Sequence, residues 1–122
     1  MPTLRLIDSI TQLSEGDAGC IAVSGSHGGI SSARFAWAAQ PLLSVFNDAG
    51  VGKANAGIAG LAFLQAQGLA ACAVAHTSAC IGIAQSTLDD GIISHANGCA
   101  QALGISVGRT CRDVVAHIQA IT

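Results

Sequence analysis

A three-layer α/β domain on a mostly parallel sheet of about four strands is the fold class this chain predicts, on three observations. First, an apolar strand-like run passes into a small polar cluster and then a helix at CIAVSGSHGG, at LLSVFNDAGVGKANAG and at ACAVAHTSAC. Second, these runs are continuously apolar, the character of strands covered on both faces. Third, strands alternating with helical segments at this spacing define βαβ units, whose crossovers are right-handed. The 122 residues suffice for one core and not for two, so the domain is read as 1–122.

Thr3 to Ile7 has strand character, is short and carries Arg5, which suits an edge strand. Asp8 or Ser9 then caps a brief helix toward Leu13, and Ser14 to Asp17 form a turn. Cys20 to Ser24 is the next strand, broken at Gly25 to Gly29. The helix from Ile30 to Ala39 is stopped by Pro41, whose ring biases Gln40 away from helical geometry. The second unit repeats the form, with strand Leu42 to Phe46, turn Asn47 to Gly52 and a helix ending near Gly68. That helix is apolar nearly all round, so burial on more than one side is expected, with Ala56 and Gly60 allowing close approach to a neighbour. Ala70 to Ala75 is the third such strand, followed by a loop from His76 to Thr87. After Asp89 and Asp90 a helix is expected with Ile92, Ala96, Cys99, Ala100 and Leu103 on one stripe, ending at Gly104. Thr110-x-x-Asp113 opens the last helix, which packs Cys111, Val114, Val115, Ile118 and Ile121. The plan is Rossmann-like. Glycine turns after parallel strands also suit a tubulin/FtsZ-like core as a topological variant, although the Gly-Gly-Gly-Thr-Gly run of that core is absent.

Charged residues are 10% of the chain against about 25% in an ordinary domain, and 51% are hydrophobic. No charged side chain occurs from Ala54 to Leu88. Too few charges remain to coat a monomer, so a homo-oligomer with an apolar interface is expected. A membrane span is not expected, because Gln65, Gln67 and Gly68 interrupt that segment and most of the rest is Ala or Gly. Five scattered Lys and Arg, no Tyr and a net charge of −2 exclude a nucleic-acid footprint. The five cysteines include no C-x-x-C pair, and the N-terminal residues lack the pattern of a secretory signal; a cytoplasmic protein is expected.

Parallel strands would bring the polar clusters to the carboxyl edge of the sheet, where open α/β sheets bind ligands. The glycine turns lie there. Gly25, Gly28 and Gly29, like Gly50 and Gly52, expose backbone N–H groups before a helix, and Lys53 adds a positive charge. A small anion, phosphate- or carboxylate-bearing, is the expected ligand, held also by Ser24, Ser26, Asn47, Thr77 and Ser78. No nucleotide motif is present. Asn47 and Ala54 stand where a Walker A loop needs Gly and a hydroxyl, and Asn55 where a dinucleotide fingerprint needs its third Gly. The cofactor is left open.

His27, Asp48 and His76, one from each strand end, are the candidate catalytic residues. A carboxylate between two imidazoles orients a tautomer and suits acid–base work near neutrality. Ser24, Ser26 and Ser78 are candidate nucleophiles, without a G-x-S-x-G elbow. The simpler alternative is that Asp48 caps the helix after it and both imidazoles bond turn backbone. The spacings His76-x-x-x-Cys80 and His95-x-x-x-Cys99 match no named zinc pattern, and Cys99 falls within an apolar stripe, so no metal is assigned. Cys20 and Cys72 read as core, while Cys80 alone is placed to react. Three readings follow: an acid–base or hydrolytic enzyme, a binding module using the same pocket, and a structural or regulatory oligomer whose turns are only turns.

Overall fold

Successive residues of the central strands face opposite sides of the sheet, and both sides are apolar, so helices must cover both. The computed structural model describes residues 1–122. Its strands are β1 (Leu4–Ile7), β2 (Ile21–His27), β3 (Leu43–Asn47), β4 (Ala70–Val74) and β5 (Ile93–Ala96), in spatial order β1-β2-β3-β4-β5. The first four are parallel and β5 runs antiparallel to β4. This is a three-layer, Rossmann-like α/β domain with five strands rather than four. Its helices are α1 (Ile30–Ala39), α2 (Ala59–Ala66), α3 (Ala84–Asp90), α4 (Gly98–Ala102) and α5 (Cys111–Ile121).

On one face Ala22, Phe46, Ala71 and Ala73 meet Ala33 and Ala36 of α1 and Leu61 and Leu64 of α2. Small strand residues let α1 and α2 lie close. Gly60 donates its N–H to Gly28 O at 2.8 Å, and a Cβ on Gly60 would stand 2.5 Å from Gly29 O. The expected close approach is therefore made by Gly60 alone, Ala56 lying exposed in the turn before the helix. The opposite face carries Ile21, Val23, Leu43, Val45, Cys72 and Val74, covered by Leu88 of α3 and by Cys111, Val114, Val115 and Ile118 of α5. Thr110 caps α5 as its sequence implies, its hydroxyl accepting from Asp113 N at 3.2 Å. No helix is long and apolar enough to cross a membrane.

Strand order rises without reversal, so successive right-handed crossovers place α1 and α2 on the same side. There is consequently no reversal point to open a crevice. Instead the chain leaving β4 passes over the carboxyl ends of β3 and β2 before α3 descends on the other face. Asn47 Nδ2 donates to Ala79 O at 3.2 Å, Gly82 N to Gly25 O at 2.7 Å, and Ala84 N to Asp8 Oδ1 at 2.9 Å. Asp8 thus serves the start of α3, while Ser9 caps a 3₁₀ turn at Ile10–Gln12.

Several boundaries differ from the sequence reading. Strand β2 runs on to His27, its ladder with β3 irregular between Val23 and His27. The second helix starts only at Ala59, because Ala49, Val51, Ala54 and Asn55 take φ of 52°, 67°, 55° and 59°, which no right-handed helix admits. It buries Gly60, Leu61 and Leu64 and leaves Ala62, Gln65 and Ala66 exposed, so one stripe rather than several is covered. The expected loop from His76 to Thr87 ends early, with Asp89 and Asp90 closing α3 instead of preceding a helix. The helix expected over 92–103 is β5 followed by α4. Asn97 divides them. Its Oδ1 accepts from Ala71 N and Ala100 N, and its Nδ2 donates to Leu61 O and Leu69 O, all within 3.1 Å. A buried amide with four partners there outweighs continuation of a helical stripe.

Candidate functional site

Asp48 directly follows β3 and is buried, its own N–H bonded to Val74 O. Its carboxylate collects donors from three segments. Oδ1 accepts from Gly50 N at 2.8 Å, from His76 N at 3.0 Å and from His76 Nδ1 at 3.2 Å; Oδ2 accepts from Ser94 Oγ at 2.8 Å. Burial pushes the carboxyl up, but the donors of Gly50, Ser94 and His76 outweigh it and hold Asp48 below the ordinary aspartate value. An ionised Oδ1 makes His76 Nδ1 the donor, which leaves Nε2 unprotonated in the neutral ring. The side chain of His76 is 56% exposed against 6% for Asp48.

His76 stands on a cavity of about 470 Å³ over the ends of β3 and β4, lined also by Asn47, Ala49, Thr77, Ser78, Cys80, Ile81, Ser86 and Asp90. Gly50 lies against the imidazole, a Cβ on it standing 3.6 Å from the ring. Val51, β-branched at φ 67°, holds strain there. Lys53 is exposed and makes no ion pair. No internal acceptor takes the amides of Thr77, Ala79 or Ile81.

Of the three residues expected to share a site, the structure joins two. His27 lies elsewhere: its Nδ1 accepts from Gly29 N at 3.0 Å and sits 3.4 Å from Ser32 Oγ. With Ser9, Thr11, Ser26, Ser31 and Phe35 it lines a separate cavity of about 240 Å³ beside α1. The three hydroxyls considered as nucleophiles have structural bonds. Ser24 is buried and donates to Val45 O, Ser26 accepts from Ile10 N, and Ser78 donates to Ala75 O while accepting from Ile92 N.

The amides of both glycine turns are likewise occupied. Gly25 N bonds Asp8 O, Gly28 N bonds Asn47 O, Gly29 N bonds His27 Nδ1, Gly50 N bonds Asp48 Oδ1 and Gly52 N bonds Gly50 O. Asn47 is fully buried, bonded to Ala79 O and Ala49 N. Lys53 begins a 3₁₀ turn rather than an α-helix, so no helix end lies beside its charge. Thr77 remains exposed on the cavity.

His76, Cys80, His95 and Cys99 do not converge, and no three His, Cys, Asp or Glu side chains are grouped as metal ligands. Burial pushes the thiols of Cys20, Cys72 and Cys111 up, Cys111 to about 12, which leaves them protonated and inert. Cys80 is exposed on the cavity rim.

Sequence reasoning missed Ser94, because residues 92–103 read as one helical stripe. The signal was present: a β-branched Ile92-Ile93 pair lies between Gly91 and Asn97-Gly98, the punctuation of a short strand. Comparison of the chain with protein-family models, with curated proteins and with solved structures gives no match.

Proposed function

We propose that the chain binds a small anionic molecule, carboxylate- or phosphate-bearing, in the cavity at the carboxyl edge, and that His76 exchanges a proton with it. One observation carries this reading: an imidazole tied through Nδ1 to a buried carboxylate, yet more than half exposed beside an open cavity. Nε2 is the atom that accepts or returns the proton, and Asp48 sets the tautomer and stabilises the imidazolium. The free amides of Thr77, Ala79 and Ile81, rather than the glycine turns, supply donors for the anion, with Lys53 adding long-range attraction. Asp90 on the same lining favours a monoanionic carboxylate over a dianionic phosphate.

Acetate, succinate, inorganic phosphate and glycerol phosphate are the first probes. A ligand that binds only the folded state raises the melting temperature by mass action, and the carboxylates should raise it more than the phosphates. His76→Gln should reduce the shift. For chemistry, activated carboxylic esters should turn over, with His76→Gln lowering the rate by about 10²–10⁴. If no probe moves the midpoint and no ester turns over, the reading fails.

A non-catalytic oligomer is the second reading, favoured by the internal bonds of the glycine turns and by the apolar side of α1. Ile30 and Trp37 are about half exposed there, Trp37 edge-on to Phe63 at 5.9 Å between centroids, while Phe35 is half exposed on the opposite flank of the helix. Such exposure supports self-association. Sedimentation at micromolar concentration should then give a dimer or larger species, and a monomer would remove this reading.

A further inference from the structure

Strand β5 pairs irregularly with β4: Ala73 faces His95 and Val74 faces Ile93, which leaves Ser94 without a partner. It is the extra residue of a β-bulge. Bulges turn a side chain away from the regular alternation and recur beside active sites. This one places Ser94 Oγ 2.8 Å from Asp48 Oδ2 and 3.0 Å from His95 Nδ1. A serine hydroxyl has a single proton, and the ionised carboxylate, an acceptor only, takes it. His95 Nδ1 must then be the donor to Ser94 Oγ. The bonds run in one direction, from His95 Nδ1–H to Ser94 Oγ–H to Asp48 Oδ2, while Asp48 Oδ1 receives His76 Nδ1–H.

We infer that Ser94 is a positioning residue for His76: the bulge aims its hydroxyl at the second oxygen of Asp48, fixing the carboxylate so that the first holds the His76 ring with Nε2 free in the cavity. The inference rests on the acid–base reading for its purpose but not for its test. If Ser94 is removed, Oδ2 loses its donor within the chain, and the carboxylate can rotate away from the geometry that three donors on Oδ1 require. The fixed bond direction also assigns the Nδ1–H tautomer to both His76 and His95. A histidine free in water favours Nε2–H, so two Nδ1–H rings in one network form a distinctive signature.

Nitrogen-15 NMR of the full chain, at a pH well above the ordinary histidine range, reads each tautomer without any ligand. In the wild type both His76 and His95 should show a pyrrole-type Nδ1 and a pyridine-type Nε2. In Ser94→Ala, His95 should revert to Nε2–H, and His76 should shift toward a mixture of tautomers. Ser94→Thr, which keeps the hydroxyl, should restore both patterns. An Nε2–H tautomer of His95 in the wild type would overturn the bond direction and the inference with it, whether or not the variants fold. So would a His76 signature unchanged in folded Ser94→Ala. Absence of any ligand or turnover would instead defeat the functional reading and leave these spectra as they are.

Discussion

Asp48→Ala is expected to destabilise the fold by about 3 kcal/mol, since it takes the shared acceptor from four part-buried hydrogen bonds, each worth about 0.5–1.5 kcal/mol. The donors are Gly50 N, His76 N, His76 Nδ1 and Ser94 Oγ, which tie the strained turn, the start of the loop after β4 and the bulge of β5 to one side chain. Asp48→Asn keeps an acceptor on Oδ1 and should cost about half as much. Its pH dependence separates the charge from the shape. The folded carboxyl titrates below its unfolded value of about 3.9, so ionisation favours the folded state. That contribution is fully present above the unfolded value and is lost as pH falls through the lower folded one. Urea unfolding between pH 6 and 2, in about half-unit steps, should show a steeper acid limb in the wild type than in Asp48→Asn. Asp89, held low by Gln85 and Arg112, contributes to both curves and cancels in the difference. Parallel curves would mean that Asp48 is not held in its charged form.

The second large effect lies where the chain crosses the carboxyl edge. Gly25 is buried, and a Cβ there would stand 2.4 Å from both Gly82 C and Ile83 N, main-chain atoms that have no rotamer with which to yield. Gly25→Ala should therefore cost about 3 kcal/mol, at the upper end of overpacking in a dense core. It should also break the 2.7 Å bond from Gly82 N to Gly25 O that holds the crossing segment down. Gly52→Ala is the control for a glycine replaced without crowding, because nothing lies within 4 Å of the added carbon and its φ of 75° is the only source of cost. That variant should lose only about 1 kcal/mol. Equal losses, measured as urea midpoints at unchanged slope, would show that the crossing segment is not clamped at Gly25.

These contacts explain how much of the site was legible in sequence. Asp48 and His76 follow continuously apolar runs that alternate with helical segments, the pattern of a parallel sheet, so their place at one edge could be read from the chain. Their hydrogen bond could not, because adjacency depends on β3 and β4 being neighbours in the sheet. His27 satisfied the same reading equally well. It separates because β2 continues two residues out of regular register with β3, which carries its ring to the α1 side. Ser94 was hidden by ambiguity of period: a stripe at 92, 96, 99, 100 and 103 fits a helix, and only the edge of β4 and the four bonds of Asn97 favour strand and turn.

The sequence by itself determined the class of fold, the parallel strands and the end of the sheet at which polar residues gather, because hydrophobic periodicity and turn chemistry act within a few residues of chain. It placed the end of the second strand at Gly25, whereas the strand runs on through that glycine to His27. Tertiary structure alone decided the strand order, the path over the carboxyl edge that occupies the glycine-turn amides, and the bulge that brings Ser94 to Asp48. The physical reason is common to all three. Each depends on satisfying a buried donor, acceptor or close backbone contact with a residue far away in the chain, and no local pattern specifies which distant group will meet it.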